Sequence, residues 1–254
     1  MRTHRKFIGP FAACLAVLLG IATTLPAQAK DTDHSSTLTQ VGTYDYLVQP
    51  DFTGLATLGS VLNDETLGLG TFNNLDGELV LVGGTVFRVR PDGKPRPAQK
   101  SDTTPFLQAI RFQPEVSVPI APGTPCADLI PAINAASDSS NGIVAVRVRG
   151  TFSELTTRSV TADPPPFQPL ATTIAEQTVF PMANRRAALV GFRQGADTRG
   201  VGQDGLHLHA LTADEMAGGH VLSCTAGPDV QLSIQRVHSV NLRTPSSAIG
   251  AHDG

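Results

Sequence analysis

The stretch Gly205-Leu206-His207-Leu208-His209-Ala210 constrains the fold more than any other segment of this chain. Its residues alternate at period two. The pattern therefore predicts a β-strand with His207 and His209 on one face and Leu206, Leu208 and Ala210 on the other. The chain then runs through Thr212 to Gly218-Gly219, where it can turn back, and His220 follows eleven residues after His209. An antiparallel return would set His220 across from the pair. Three neutral imidazoles on adjacent strands, with coordination positions left open, are the donor set of a catalytic divalent metal. A lone His-x-His also arises on solvated strands, so the third histidine at hairpin distance carries most of the weight.

Residues 1–29 are expected to lie outside the fold. Arg2, Arg5 and Lys6 precede an apolar run from Phe7 to Leu25, and Ala27-Gln28-Ala29 supplies a small-x-small cleavage site. Together these predict a secretory signal and an exported mature protein, periplasmic or secreted. Gly9, Pro10 and Gly20 interrupt the run, which argues against a retained anchor, and Cys14 lies inside it rather than after it. No later segment is long and apolar enough to span a bilayer as a helix. Roughly 225 residues then remain, enough for one large or two small domains with a proper core. The whole chain has 19 basic and 22 acidic residues, and losing three basic ones makes the remainder more acidic. With no basic cluster left, nucleic acid and anionic membrane are poor partners. Trp is absent, so a carbohydrate-stacking platform is disfavoured too.

Cys126 and Cys224 are the cysteines left after the leader. In an oxidising compartment they could pair across a long loop, or remain as separate buried thiols. Cys224 is also four residues from His220. On a regular strand that spacing places it on the same face, as a possible fourth ligand.

Strand-like runs dominate the rest: Tyr44 to Val48, Glu78 to Val82, Thr85 to Val89, Ile143 to Val148, Ala187 to Phe192, Gly205 to Leu211, His220 to Cys224 and Val230 to Val237. Gly83-Gly84 signals a two-residue hairpin. Short helices are expected over Ala127 to Ala136, despite Pro131, and near Leu55 to Leu62. The tail from Arg243 has no clear element. The fold class is α+β and sheet-rich, with two sheet-based halves meeting near residues 138–142, inside the turn-rich 137–142. The expected division is an N-terminal domain over 30–140 and a metal-binding domain over 141–254, with the metal site on strands of the C-terminal half.

Three further segments carry groups suited to chemistry. The loop Gly70-Thr71-Phe72-Asn73-Asn74-Leu75-Asp76-Gly77 delivers Glu78 to the start of an apolar strand, where a carboxylate can serve as acid, base or metal-shell group. Val144 to Gly150 puts Arg147 and Arg149 on one strand face, and an inward Arg must find an anion in the protein or in a ligand. Arg158, in Thr156-Thr157-Arg158-Ser159-Val160, invites the same argument.

These blocks fall in a familiar order. Gly-Thr-Phe-Asn-x-Leu-Asp-Gly-Glu (70–78) is followed by Val-Arg-Val-x-Gly-x-Phe (146–152), Thr-Arg-Ser-Val (157–160), Leu-Val-Gly-Phe (189–192), and His-Leu-His with Gly-Gly-His-Val-Leu (207–222). The chain resembles α-acetolactate decarboxylase over roughly residues 41–237. The resemblance implies a fold of two linked, sheet-rich α/β domains with mixed β-sheets, and a zinc-dependent carboxy-lyase, usually a homodimer, that converts α-acetolactate (2-hydroxy-2-methyl-3-oxobutanoate) to acetoin and carbon dioxide. In that family the metal chelates the keto and hydroxyl oxygens and stabilises an enediolate. It also implies roles by position: His207, His209 and His220 as zinc ligands, and Glu78, Thr71 and Arg158 as active-site groups. Arg147 matches a strand position that is less clearly catalytic.

Two departures stand out. The family has a further glutamate near its C-terminus that reaches the metal site, whereas the tail from His238 to Gly254 contains no Glu. Asp253, His238 or His252 could substitute, or the position is empty. Arg149 stands where the family often has Asp. Two rival readings remain. One is a cupin-type metalloenzyme with Asp214 or Glu215 as its acidic ligand; the other is an exported metal-binding homologue with impaired catalysis.

Overall fold

The computed structural model describes Met1 and residues 36–245. The leader therefore lies outside the described residues, as do His252 and Asp253. Residues 36–245 belong to one compact unit. Its strands are β1 (Thr37–Val41), β2 (Ala56–Thr57), β3 (Leu67–Thr71), β4 (Glu78–Val82), β5 (Thr85–Val89), β6 (Pro95–Pro97), β7 (Thr103–Thr104), β8 (Leu107–Ile110) and β9 (Val116–Pro119). They continue with β10 (Ile143–Ser159), β11 (Thr178–Gln194), β12 (Gly205–Thr212), β13 (Gly218–Ala226), β14 (Gln231–Val237) and β15 (Ser239–Arg243). The helices are short: α1 (Tyr44–Leu47), α2 (Leu58–Val61), α3 (Leu129–Ser137) and α4 (Leu170–Ala175).

The fold is α+β and rich in sheet, as the sequence suggests. A seven-stranded sheet runs β15-β1-β8-β3-β4-β5-β6, mixed because β1 and β15 pair in parallel. A six-stranded antiparallel sheet runs β11-β12-β13-β10-β14-β9, with β11 also paired to β10. That last pairing closes a ring of β10, β11, β12 and β13. It is possible because β10 is seventeen residues long and divides one of its edges: Ile143 to Arg149 pairs with β14, Phe152 to Arg158 with β13. Sheet membership crosses the division expected at residues 140 and 141, since β9 belongs to the second sheet and β15 to the first.

One core lies between the sheets, where Leu69, Val80, Phe87 and Val89 meet Ala145, Val190, Phe192 and Leu211. A second packs α3 against the far face of the second sheet, and a third fills the space beneath α2. The buried apolar residues at alternate strand positions explain this layering, because each sheet must cover both faces.

Three expectations change, and the helix through Pro131 holds. Tyr44–Leu47 is helical rather than extended, because the Thr43 hydroxyl caps the turn by accepting the Tyr46 N–H, with Asp45 in the first turn. The helix near Leu55 shrinks to α2, since the preceding residues pair with β7. α3 tolerates Pro131 in its first turn, where the missing N–H leaves no bond unmade. The residues after Asp229 form two strands, the second of which adds an edge to the first sheet.

Candidate metal centre and its cavity

The hairpin β12–β13 places His209 directly opposite His220, and alternation carries His207 to the same face. Leu208 and Ala210 enter the core behind the second sheet. Two glycines allow this approach. At Gly219 the backbone takes φ +120°, and a Cβ would overlap the Arg158 carbonyl oxygen. At Gly191 a Cβ would overlap the His207 carbonyl.

Three ring nitrogens converge. His207 Nε2 lies 3.1 Å from His220 Nδ1, which is 3.3 Å from His209 Nε2. The opposite ring nitrogen of His209 lies 2.7 Å from the Leu79 carbonyl oxygen. A carbonyl can only accept, so Nδ1 carries the proton and donates, leaving the Nε2 lone pair aimed at the other two rings. His207 Nδ1 is buried with no hydrogen-bond partner. All three rings are held neutral. Burial, then the neighbouring histidine and Arg158, pull His207 well below its ordinary value. His220 falls likewise, through burial first and then its neighbours His207, Arg158 and His209, and burial lowers His209 to about 3.

Glu78 and Arg158 complete the inner wall. Glu78 opens β4 and is 4% exposed; Arg158, near the end of β10, is 9% exposed. Arg158 Nη1 donates to Glu78 Oε1 at 2.5 Å, while Glu78 Oε2 lies 3.4 Å from His209 Nε2. Burial pushes the Glu78 carboxyl above its ordinary range, with the Arg158 charge and hydrogen bond pulling the other way. Thr71 faces Glu78 across β3–β4, and its hydroxyl donates to the Gly77 carbonyl at 2.9 Å, which ties the loop down.

All six residues line one cavity. Sequence reasoning did not find its other walls. Tyr44, Leu47, Phe106, Val160, Leu170, Ile174 and Gln203 come from short helices and connections that pair with no periodic signal. Cys224 is not a ligand. Leu222 has no partner on β10, and this bulge turns Cys224 to the face opposite His220, where it forms a disulfide with Cys126 at a Cα separation of 5.1 Å. Asp214 and Glu215 sit exposed in the turn after β12, and Asp214 is occupied by Thr212 and Met216. This removes the acidic ligand of the cupin reading. His238 is exposed between β14 and β15 and outside the cluster. Arg147 and Arg149 do not line this cavity.

The donor set suits a divalent cation. Three lone pairs from neutral imidazoles face one another within 4.8 Å, and two of them lie on buried residues. A fourth group, the Glu78 carboxylate, faces the His209 lone pair, an arrangement of acceptors that calls for a positive charge between them.

Comparison with known proteins agrees with this construction. The model of the alpha-acetolactate decarboxylase family matches residues 38–249. The chain is 32% identical to alpha-acetolactate decarboxylase of Bacillus subtilis strain 168, over 84% of this chain and 83% of that one. It is 35% identical to that of Methylococcus capsulatus, over 72% and 70%. The crystal structure of the Bacillus subtilis strain 168 protein superposes with a TM-score of 0.79, covering 84% of this chain and 91% of that one. By sequence and by fold, the chain belongs to the alpha-acetolactate decarboxylase family.

Proposed function

We propose that this protein decarboxylates α-acetolactate to acetoin and carbon dioxide with zinc held by His207, His209 and His220. The observation that carries this reading is the convergence of three neutral ring nitrogens beside a buried Glu78–Arg158 pair in one cavity. Bound there, zinc supplies Lewis acidity toward the keto and hydroxyl oxygens of the substrate, where negative charge grows as carbon dioxide leaves.

The side chains divide the remaining work. Arg158, buried in the cavity wall, presents its guanidinium to orient the substrate carboxylate and stabilise the electron density left after its loss. Glu78 is the proton carrier. Its carboxyl is raised by burial and lies within reach of the cavity, so it can hold a proton and return it to the reacting carbon. Thr71 spends its proton on Gly77, so its oxygen is left to accept the substrate hydroxyl while holding the loop before Glu78. Tyr44, Leu47, Phe106 and Ile174 supply an apolar surround that excludes water. The reading includes an exported mature chain and a homodimer.

A colour assay for acetoin, with acetolactate as substrate, tests the proposal. Zinc-loaded protein should form acetoin, a chelator should stop it, and added zinc should restore it. Zinc retained without acetoin would overturn the catalytic reading and leave a metal-binding protein. N-terminal sequencing of exported protein and light scattering test the leader and the dimer.

A further inference from the structure

The first half of β10 carries two arginines that the decarboxylation chemistry leaves unused. Arg147 pairs in register with Val190 of β11 and Ser233 of β14, and Arg149 with Ala188 and Gln231. Residues two apart on a strand share a face, so the two guanidinium groups leave the sheet on the same side from points about 7 Å apart. Arg186 pairs with Thr151, one further step along that face. The three arginines line a cavity of about 630 Å³, with Gln231 and Ser233 also in its wall.

Charge on this face is unbalanced. Asp229 is the one carboxylate lining the cavity among the described residues. It is already engaged, accepting the Thr151 N–H at 2.7 Å and an Arg186 N–H at 2.5 Å. Neither Arg147 nor Arg149 has a carboxylate partner among the described residues. Arg147 is half-buried with its Nε shut from water and without a hydrogen-bond partner, and its guanidinium lies 5.0 Å above the Phe112 ring. Burial, and then the charge of Arg149, draw Arg147 below its ordinary value. A cation kept in such surroundings is stabilised by an anion brought from outside.

We propose that Arg147, Arg149 and Arg186 form a second binding site, separate from the histidine cavity, for a small dianion such as inorganic phosphate or a short dicarboxylate. Two guanidinium forks that leave one strand face from backbone points about 7 Å apart suit a ligand that presents two charged oxygen groups or one tetrahedral oxyanion. Gln231 and Ser233 add neutral hydrogen-bonding groups at the rim.

Isothermal titration of orthophosphate and, separately, of succinate into zinc-loaded protein tests this, with ionic strength fixed by sodium chloride. At least one of the two anions should bind saturably at one site. Arg149→Ala and Arg147→Gln should each weaken it by about tenfold or more, with acetoin formation unchanged. His209→Ala should leave the binding in place. The proposal fails if neither anion gives heat beyond salt dilution, if neither arginine substitution moves Kd, or if His209→Ala abolishes binding. Arg149 is exposed and its replacement does not threaten folding, so it decides the matter should Arg147→Gln fold poorly.

Discussion

The two halves of β10 hold the same residue type in opposite circumstances. At Arg158 the strand pairs with β13 and faces the start of β4, so the guanidinium meets Glu78 and three imidazoles in a closed space. At Arg147 the strand pairs with β14 and faces an open cavity with no carboxylate to spare. The two arginines differ in the partner the fold supplies as much as in their burial. The closed half has its charges balanced inside the protein, and the open half leaves its balance to something arriving from outside.

The comparison breaks most visibly at the histidines. If His207, His209 and His220 hold the metal, His209→Ala should lower acetoin formation by about 10³-fold or more, since Lewis-acid stabilisation is worth several kcal/mol. Zinc content measured by atomic absorption should fall with it. Normal turnover in a zinc-free variant would remove the metal from the chemistry.

Glu78→Gln should come next. If Glu78 carries the proton, its loss costs about 10²- to 10⁴-fold in kcat. The same change leaves Arg158 buried without a carboxylate, a cost of about 3–5 kcal/mol in unfolding free energy. Arg147→Gln in the open half should show neither effect. Equal destabilisation by the two substitutions, measured in urea, would erase the distinction between the halves.

A third test concerns what holds the closed half in place. Cys224 stands opposite Leu155 on β10, and its bond to Cys126 spans 98 residues of sequence. Replacing both cysteines by serine should cost about 4–5 kcal/mol in stability by loss of loop-closure constraint. Turnover of the folded fraction should persist, because neither sulfur touches the histidine cavity. In the open half, Arg193 does similar work without a covalent bond. It is 2% exposed and donates to the carbonyls of Ser139, Ser140 and Asn141, just beyond α3. Arg193→Ala should cost about 2–4 kcal/mol by leaving those carbonyls unsatisfied.

The sequence disclosed the closed half unevenly, for physical reasons. The hairpin of His207, His209 and His220 is visible because period-two alternation and Gly218-Gly219 are local signals. Glu78 at the head of β4 is visible for the same reason. The bulge at Leu222 is not, since counting residues assumes an unbroken ladder, which would put Cys224 on the face of His220. β3 went unseen because Gly68 and Gly70 look like breakers. They are tolerated there because the neighbouring backbone at Gln108 and Phe106 passes too close for any Cβ. Tyr44 to Val48 has the composition of a strand, and the Thr43 cap that makes Tyr44–Leu47 helical carries no periodic signal. The burial of Arg158 had no sequence signal at all, because it depends on the ring closed by β11 and β13. Family resemblance, rather than periodicity, singled it out.

The smallest effect is the most direct test of the contrast. Arg149→Asp places a carboxylate on the same face as Arg147 and removes the like charge beside it. If the open half lacks only a partner, the new pair should raise stability by about 0.2–1 kcal/mol, the range of exposed and cross-strand ion pairs, and the gain should shrink as salt is added. Affinity for orthophosphate or succinate should drop below detection, since the site then carries its own anion. Acetoin formation should not change, because residue 149 is absent from the histidine cavity. A loss of stability instead would mean that Arg147 is already satisfied, and that the two halves of β10 differ less in charge balance than their surroundings suggest.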